Sequence, residues 1–388
     1  MRLLIVTTSY PRRNDGTEAA GSFVEDFAIA LSKICSIAVV APGLEVGVAD
    51  TTDTFDIYRF RSPERALSTL KPLNPLHWVS ILSTLASGQR TCHQAVEEFK
   101  PNHILALWAL PSGYWAARAG KAYSIPYSTW ALGSDIWSLG KIPLVRSILK
   151  KTLTNAKIQF ADGFQLSQDV SQISGKPCHF LPSTRQLNKI DRVLRTSPPY
   201  RLSFLGRWHP NKGVDILLDA LELLSDDDWE KIESVRIEGG GPLHSLVHEK
   251  VHKLSAAGCP VTVGAYLNRE DAQILLVNTD FLIIPSRIES IPVVFSDAMQ
   301  SRCPVIVTPV GDLPKLIGEY GCGVLSGAVS AFAISVAIRE ALGSVPCVYK
   351  SELDAACLAF DIQASANACT KLFNSEYAKN IDGNILIV

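Results

Sequence analysis

Short apolar runs alternate along the chain with longer segments whose apolar residues return every three or four positions. Runs of the first kind read as strands buried on both faces, and segments of the second kind as amphipathic helices. Regular alternation of the two is the signature of an α/β protein with parallel sheets. In the first half this predicts strands at 3–8, 37–41, 57–60, 104–107, 127–130, 158–160 and 179–181. Helices fall between them, clearest at 22–31, 76–98, 114–122 and 144–153. The alternation pauses over 182–200, which holds Pro182, Pro198 and Pro199 and several charges. It resumes with strands at 202–205, 235–238, 261–263, 282–284, 305–307 and 323–325. The matching helices are predicted at 214–224, 243–256, 271–276, 293–300 and 330–342, with one more at 362–377. The expected architecture is therefore two Rossmann-like domains, at 1–185 and 201–360, joined by a linker at 186–200. A tail at 361–388 is expected to return to the N-terminal domain, and a cleft between the halves is the expected ligand site.

Composition narrows the function classes. A chain of 388 residues suits about two domains with a core each. Its 47% apolar and 19% charged content is that of a globular protein. A net charge of −1 gives no global pull toward nucleic acid. Nine cysteines without a CxxC pair point to reduced thiols in the cytoplasm, not to a disulfide framework or a zinc site. The opening MRLLIVTTSYP turns polar too soon for a signal peptide and reads as a first strand. The longest uncharged run, 72–88, is interrupted by prolines and polar residues and is not expected to span a membrane.

Candidate chemistry gathers where predicted strands end. At 281–313 a strand, a polar loop, a helix and a second strand follow one another, and the loop carries Ser286, Arg287 and Glu289. Seven residues separate Glu289 from Asp297, about two helical turns, so both acids are expected to face one cleft. The other strand end, RLSFLGRWHPNKGVDILLDAL, places Arg207 and Lys212 beside a helix N-terminus. A fork of guanidinium donors and an ammonium point charge suit a diphosphate. A basic loop by itself is a weak signal.

Taken together these stretches resemble a retaining glycosyltransferase of family 4, with the two-domain GT-B fold. The resemblance covers essentially the whole chain. It rests on SFLGRWHPNKGVDILLDAL, IEGGGPL, SRIESIPVVFSDAMQSRCPVIVT, LIVTTSYPRRNDGTEAAGSFVEDFAIAL, LWALPSGYWAARAG and TWALGSDIW. It implies that Arg207 and Lys212 bind the donor diphosphate and stabilise the charge that grows on it as the glycosidic bond breaks. Glu289 would contact donor-sugar hydroxyls, and backbone from Ser290, Ile291, Pro292 and Val293 would cap the phosphates. Asp297 would bind the ribose hydroxyls, Gly240 and Gly241 would admit the nucleotide, and Gly21 would face the sugar phosphate from the other domain. The resemblance further implies a nucleotide-sugar co-substrate, a saccharide or lipid-linked saccharide acceptor, and no metal or other cofactor.

Three positions depart from the family pattern: Leu132 stands where a His usually precedes Gly-Ser-Asp, Leu105 or Leu107 takes a second frequent His position, and Asp297 replaces a Glu. Ser134 or Asp135 could then help to orient substrates. Alternatives are a nucleotide-sugar 2-epimerase of the same architecture and a catalytically impaired sugar-nucleotide-binding homologue. A Rossmann oxidoreductase would want a GxGxxG turn after the first strand, which is lacking here.

Two further patterns stand apart. Lys141, Arg146, Lys150, Lys151 and Lys157 surround Ile142, Leu144, Val145, Ile148, Leu149 and Leu153. A basic amphipathic helix of this kind suits peripheral contact with an anionic membrane, or a solvated face on its own domain. Arg12 and Arg13 fit either role. His244, His248 and His252 have the spacing of metal ligands on a helix, but no carboxylate motif accompanies them, so a solvated helix face is expected.

Overall fold

A computed structural model of the chain describes residues 1–11, 21–44, 49–51, 54–63 and 74–374. It divides into two compact units, Met1–Pro182 with Ile362–Val388, and Ser183–Asp361. Arg12 and Arg13, like 375–377 of the predicted last helix, lie outside the described residues.

In the first unit the strands are β1 (Arg2–Val6), β2 (Ser36–Gly43), β3 (Ala49–Thr51), β4 (Asp56–Arg61), β5 (His103–Leu107), β6 (Tyr127–Ala131), β7 (Gln159–Ala161) and β8 (His179–Phe180). They form one sheet in the order β3-β4-β2-β1-β5-β6-β7-β8, parallel throughout except for β3, which runs antiparallel to β4. The helices are α1 (Ser22–Ser32), α2 (Trp78–Phe99), α3 (Ser112–Tyr123), α4 (Ser134–Trp137), α5 (Pro143–Asn155) and α6 (Phe164–Ser174). Alternation along β1 separates two cores. Leu3 and Ile5 point toward Phe27 and Leu31 of α1, whereas Leu4 and Val6 point toward Val96 of α2 and Trp115 of α3. Helix α6 escapes the sequence pattern because serine and glutamine break its apolar stripe.

Strands of the second unit are β9 (Tyr200–Arg207), β10 (Ile232–Gly240), β11 (Val261–Val263), β12 (Phe281–Ile284), β13 (Val305–Val307) and β14 (Gly323–Leu325). All are parallel, in the order β11-β10-β9-β12-β13-β14. Between them run α7 (Val214–Leu221), α8 (Asp226–Trp229), α9 (His244–Ala256), α10 (Arg269–Val277), α11 (Val293–Gln300), α12 (Leu313–Tyr320), α13 (Ala331–Gly343) and α14 (Lys350–Ala359). Helix α8 is a single turn fixed by a capping box, in which Ser225 and Asp228 bond each other's backbone.

The predicted linker is corrected by its contacts. Arg192 donates to the carbonyls of Leu276 (2.9 Å), Ser301 (3.4 Å) and Thr279, and Asn188 exchanges hydrogen bonds with Gln273. Residues 183–199 are thus fastened to the second unit, because irregular backbone placed on a protein surface needs partners for its polar groups.

The last helix, α15 (Ile362–Asn374), belongs to the first unit and completes its core with Ile362, Ala366, Cys369 and Leu372. Gln363 donates to the Ala30 carbonyl at 3.3 Å, and Phe373 stacks on His103 with ring centroids 4.2 Å apart. Burial, and then the Lys157 charge, push the His103 pKa down to about 3, so the ring is neutral and bonds Ser128 at 2.9 Å. No single helix among the described residues is long and apolar enough to cross a membrane. The pair α13 and 346–359 passes by length and composition but is bent by 93°, and Ile334, Ala337, Ile338 and Ala341 of α13 sit in the second core.

Phe373→Ala removes the ring that closes this seam between α15, His103 and Phe160. A loss of about 3–5 kcal/mol in the unfolding free energy of the first unit is expected. Urea denaturation of the variant against the wild type measures it.

Candidate functional site

Strand order locates the site in the second unit. Strand β9 lies between β10 and β12, so the connections leaving its carboxyl end and that of β12 part in opposite directions. Open parallel sheets bind ligands at such a switch point. Two loops meet there, one after β9 (208–213) and one after β12 (285–292).

The loops are tied by charge. Arg287 donates to both carboxylate oxygens of Asp215 at 2.7 Å and to the Pro210 carbonyl at 2.5 Å, and its own amide donates to Asn211 O at 2.8 Å. Burial opposes ionisation of Asp215, but the Arg287 hydrogen bonds and charge outweigh it and hold the carboxyl below its usual range. Lys212 Nζ donates to Glu289 Oε1 across the same gap. Gly213, which starts α7 at φ 71, has the Pro285 carbonyl oxygen where a Cβ would lie, so only glycine allows the loops this close. From the next strand end, the Asp312 amide donates to Ser290 O at 3.2 Å.

The structure therefore brings Lys212 and Glu289 together and leaves Arg207 exposed at the carboxyl end of β9. Ser290 and Ile291 lead into α11, whose cap residue is Pro292 and whose first turn opens with Val293. Pro292 has no N–H and is corrected as a donor; the donors available to an anion are the amides of Ser290, Ile291, Val293 and Val294. Arg287 carried no pattern along the sequence that would assign it. Its partner lies 72 positions away, and only the fold pairs them.

Four expected positions are differently employed. Asp297 is fully buried and takes Nε of Arg185 at 3.1 Å on one oxygen and a second guanidinium nitrogen on the other. An acid neutralised in this way inside the protein is not presented to a ribose, which corrects its expected role. It anchors the start of the second unit to α11, where Ser296 also donates to Ser183 O at 3.2 Å. Gly240 is covered by the Tyr266 ring, whose hydroxyl donates to Gly240 O at 2.5 Å. Gly241, at φ 145, packs on the Trp208 backbone. Gly21 caps α1 at φ 89 and packs on the backbone of Ser9 and Tyr10. These three glycines are accounted for by backbone packing. His244 and His248 lie 4.2 Å apart, ring to ring, against Trp208, and among the described residues no group of three potential ligands forms a metal site. A cavity of about 350 Å³ lined by Asp191, Arg192, Arg302, Lys350 and Asp354 opens elsewhere, beside the turn between α11 and β13.

In the first unit Asp135 is buried, accepts from the amides of Ala109 (2.6 Å) and Leu132 (3.3 Å), and so ties the loop after β5 to the loop after β6. Burial pushes its pKa up to about 6 against the pull of those amides. It is a positioning residue, not a group offered to a substrate. Leu132 packs on the core that holds Trp130 and Leu107.

Two doubly wound α/β units, one with an anion-receptive switch point, define the class: this is the GT-B fold. Sucrose-phosphate synthase from Thermosynechococcus elongatus superimposes with a TM-score of 0.73 at 16% identity, covering 98% of this chain and 100% of that one. HepE of Anabaena, solved in complex with UDP and glucose, does so with a TM-score of 0.68 at 15% identity, covering 96% and 99%. Residues 199–342 match the model of the glycosyl transferases group 1. Over those residues the chain is similar to that family. A relative named as a teichuronic acid biosynthesis glycosyltransferase, TuaC of Bacillus subtilis, is 28% identical over 236 residues, 57% of this chain. The match spans 56% of that relative's length.

Asp135 carries a measurable signature. Its folded pKa lies above its unfolded one, so its contribution to stability is complete below about pH 4 and is lost as pH rises through about 6. Asp135→Asn removes this titration. Urea denaturation at pH 4 and pH 7 should show the wild type losing stability relative to the variant as pH rises; parallel profiles would exclude the buried-carboxyl account.

Proposed function

We propose that the chain transfers a hexosyl group from a nucleotide-diphosphate sugar to a hydroxyl of a saccharide acceptor, with retention of configuration. The observation that carries this reading is the Lys212–Glu289 contact at the β9/β12 switch point, with Arg207 exposed beside it. A cation and an acid in contact, next to unpartnered amides at a helix start, match a ligand with phosphate at one end and hydroxyls at the other. Arg207, Lys212 and the amides of Ser290, Ile291, Val293 and Val294 hold the diphosphate. As the bond from the anomeric carbon to the phosphate oxygen breaks, the leaving diphosphate gains negative charge, which these groups stabilise without reorganising. Glu289 turns to the sugar hydroxyls once phosphate takes its place on Lys212. The acceptor oxygen forms its bond on the face the diphosphate leaves, and its proton passes to a donor phosphate oxygen. The cations and amides do what a divalent metal does in other phosphate sites, so no metal is needed.

Cell-surface polysaccharide, lipopolysaccharide or glycolipid synthesis is the setting we infer, in the cytoplasm and at the inner face of the membrane. The teichuronic acid relative and the lipopolysaccharide galactosyltransferase WaaB among the structural neighbours support it by their names. So does the surface of the first unit. Lys141, Arg146, Lys150 and Lys151 are exposed around α5, with Leu144 82% and Ile148 45% exposed. Leu76, Trp78, Val79 and Leu82, at 53% exposure or more, continue this character at the start of α2.

A thermal-shift panel of UDP-, GDP- and ADP-linked sugars tests the donor site. One nucleotide class should raise the melting temperature, and by more than the others. In Lys212→Ala that shift should vanish while the unliganded melting temperature stays within a degree or so of the wild type. Turnover should persist in excess chelator. A flat panel would sink the donor assignment, and a strict metal requirement would sink the proposed charge stabilisation.

A further inference from the structure

We propose that Trp108, flanked by Phe23 and Leu132, is a stacking platform for the ring face of an uncharged pyranose, the acceptor sugar of the transfer proposed above; the inference rests on that reading for the sugar's role as acceptor. Three observations converge on it.

The first is position. In the first sheet β1 lies between β2 and β5, so this sheet has its own switch point at the carboxyl ends of β1 and β5. Trp108 is the first residue beyond β5, and Phe23 lies in the first turn of α1, the helix that follows β1.

The second is strain. Trp108 has φ 67, a left-handed backbone that a bulky residue adopts only under strain. The conformation is over-determined. Trp108 N–H donates to Trp130 O at 2.8 Å, Trp108 O accepts from Gly113 N–H at 3.1 Å, and the next amide, Ala109, is held by the buried Asp135 at 2.6 Å. A buried carboxylate that bonds the amide following a strained tryptophan fixes where that tryptophan stands. Glycine at 108 would relieve the strain, yet an indole is what the sequence keeps there.

The third is chemistry. The indole is half-buried, with Phe23 edge-on to it at 6.2 Å and 61°, and Phe23 is in turn edge-on to Trp130 at 6.2 Å. Leu132 packs on the same core, and Leu105 and Leu107 behind it are fully buried. The nearest acid in the loops, Asp135, is 1% exposed with both oxygens bonded to amides, and the exposed polar group on the rim is Ser134. The described residues Phe23, Trp108, Leu132 and Ser134 offer aromatic and apolar faces and carry no charge. The negative face of an indole attracts the polarised axial C–H groups of a pyranose, and a single hydroxyl can set its orientation. Against these described residues a carboxylated sugar would find no cation and would be desolvated at a cost.

The test uses the full chain and saturation-transfer NMR with UDP and with methyl pyranosides of glucose, galactose, N-acetylglucosamine and glucuronic acid. In the wild type at least one neutral pyranoside should take up saturation on its ring C–H protons, and the glucuronide should not. Trp108→Phe keeps a ring and Trp108→Leu keeps apolar bulk without one, both on the same backbone. Pyranoside affinity should survive in the first and fall roughly 2- to 10-fold in the second, while the UDP signal stays equal in all three proteins. Leucine binding as well as tryptophan, preference for the glucuronide, or UDP binding with no neutral pyranoside bound would each overturn the platform. Pyranoside binding through Trp108 with UDP silent would uphold the platform and overturn the donor reading instead.

Discussion

The bidentate pair of Arg287 and Asp215 is the interaction on which the second unit's site depends. Parallel strands deliver their loops to one edge of a sheet, but they do not make those loops touch. Arg287 closes the gap by bonding a side chain of α7, a carbonyl of the loop after β9 and, through its amide, a second carbonyl. Gly213 permits the approach and Arg287 holds it. Lys212 and Glu289, one from each loop, then face each other as a consequence. Their contact is not itself a source of rigidity. Both are partly exposed, and a pair of that kind is easily exchanged for a ligand that supplies the missing charge.

Much of the fold was legible because the information is local. Short apolar runs mark β9 to β14, and period-3.6 patterns mark α7, α9, α11 and α13, with ends displaced by a residue or a few. The misses are short or weakly patterned elements. β3 has three residues and pairs only at the sheet edge, and α8 is a single capped turn. The segment 186–200 reads as a linker because its prolines and charges are visible in sequence, whereas the carbonyls that Arg192 binds come from residues 84 to 109 positions away.

The candidate site divides along the same line. Arg207, Lys212 and Glu289 sit at strand ends, where residue type and position in a βα unit already suggest a ligand, and the sheet order places them together. Asp297 failed as a reading for a reason that spacing does not reveal. Two turns along a helix from Glu289 it shares a face with it in projection, but α11 carries that face inward, and the acid meets Arg185 in the interior. Bonded through both oxygens to Arg185, Asp297 becomes part of the frame. The glycines show the same ambiguity. A small residue beside a ligand and a small residue beside another backbone look identical in sequence.

The two sheets repeat one topology and yet differ at the corresponding point. Each has a central first strand with its switch point beside the strand that follows the crossover, β9 with β12 and β1 with β5. At the first of these the protein places a lysine, an arginine, an acid and free amides; at the second, a tryptophan in a strained backbone and a phenylalanine at its edge. Topology therefore fixes where a ligand goes and says nothing of what it is. Leu105 and Leu107 are fully buried, and Leu132 packs against the same core. Asp135 is buried beside them and holds the Ala109 amide, although its raised pKa costs stability at neutral pH. The buried carboxylate bonds the amide that directly follows the left-handed Trp108, so it helps to fix the backbone on which the indole stands.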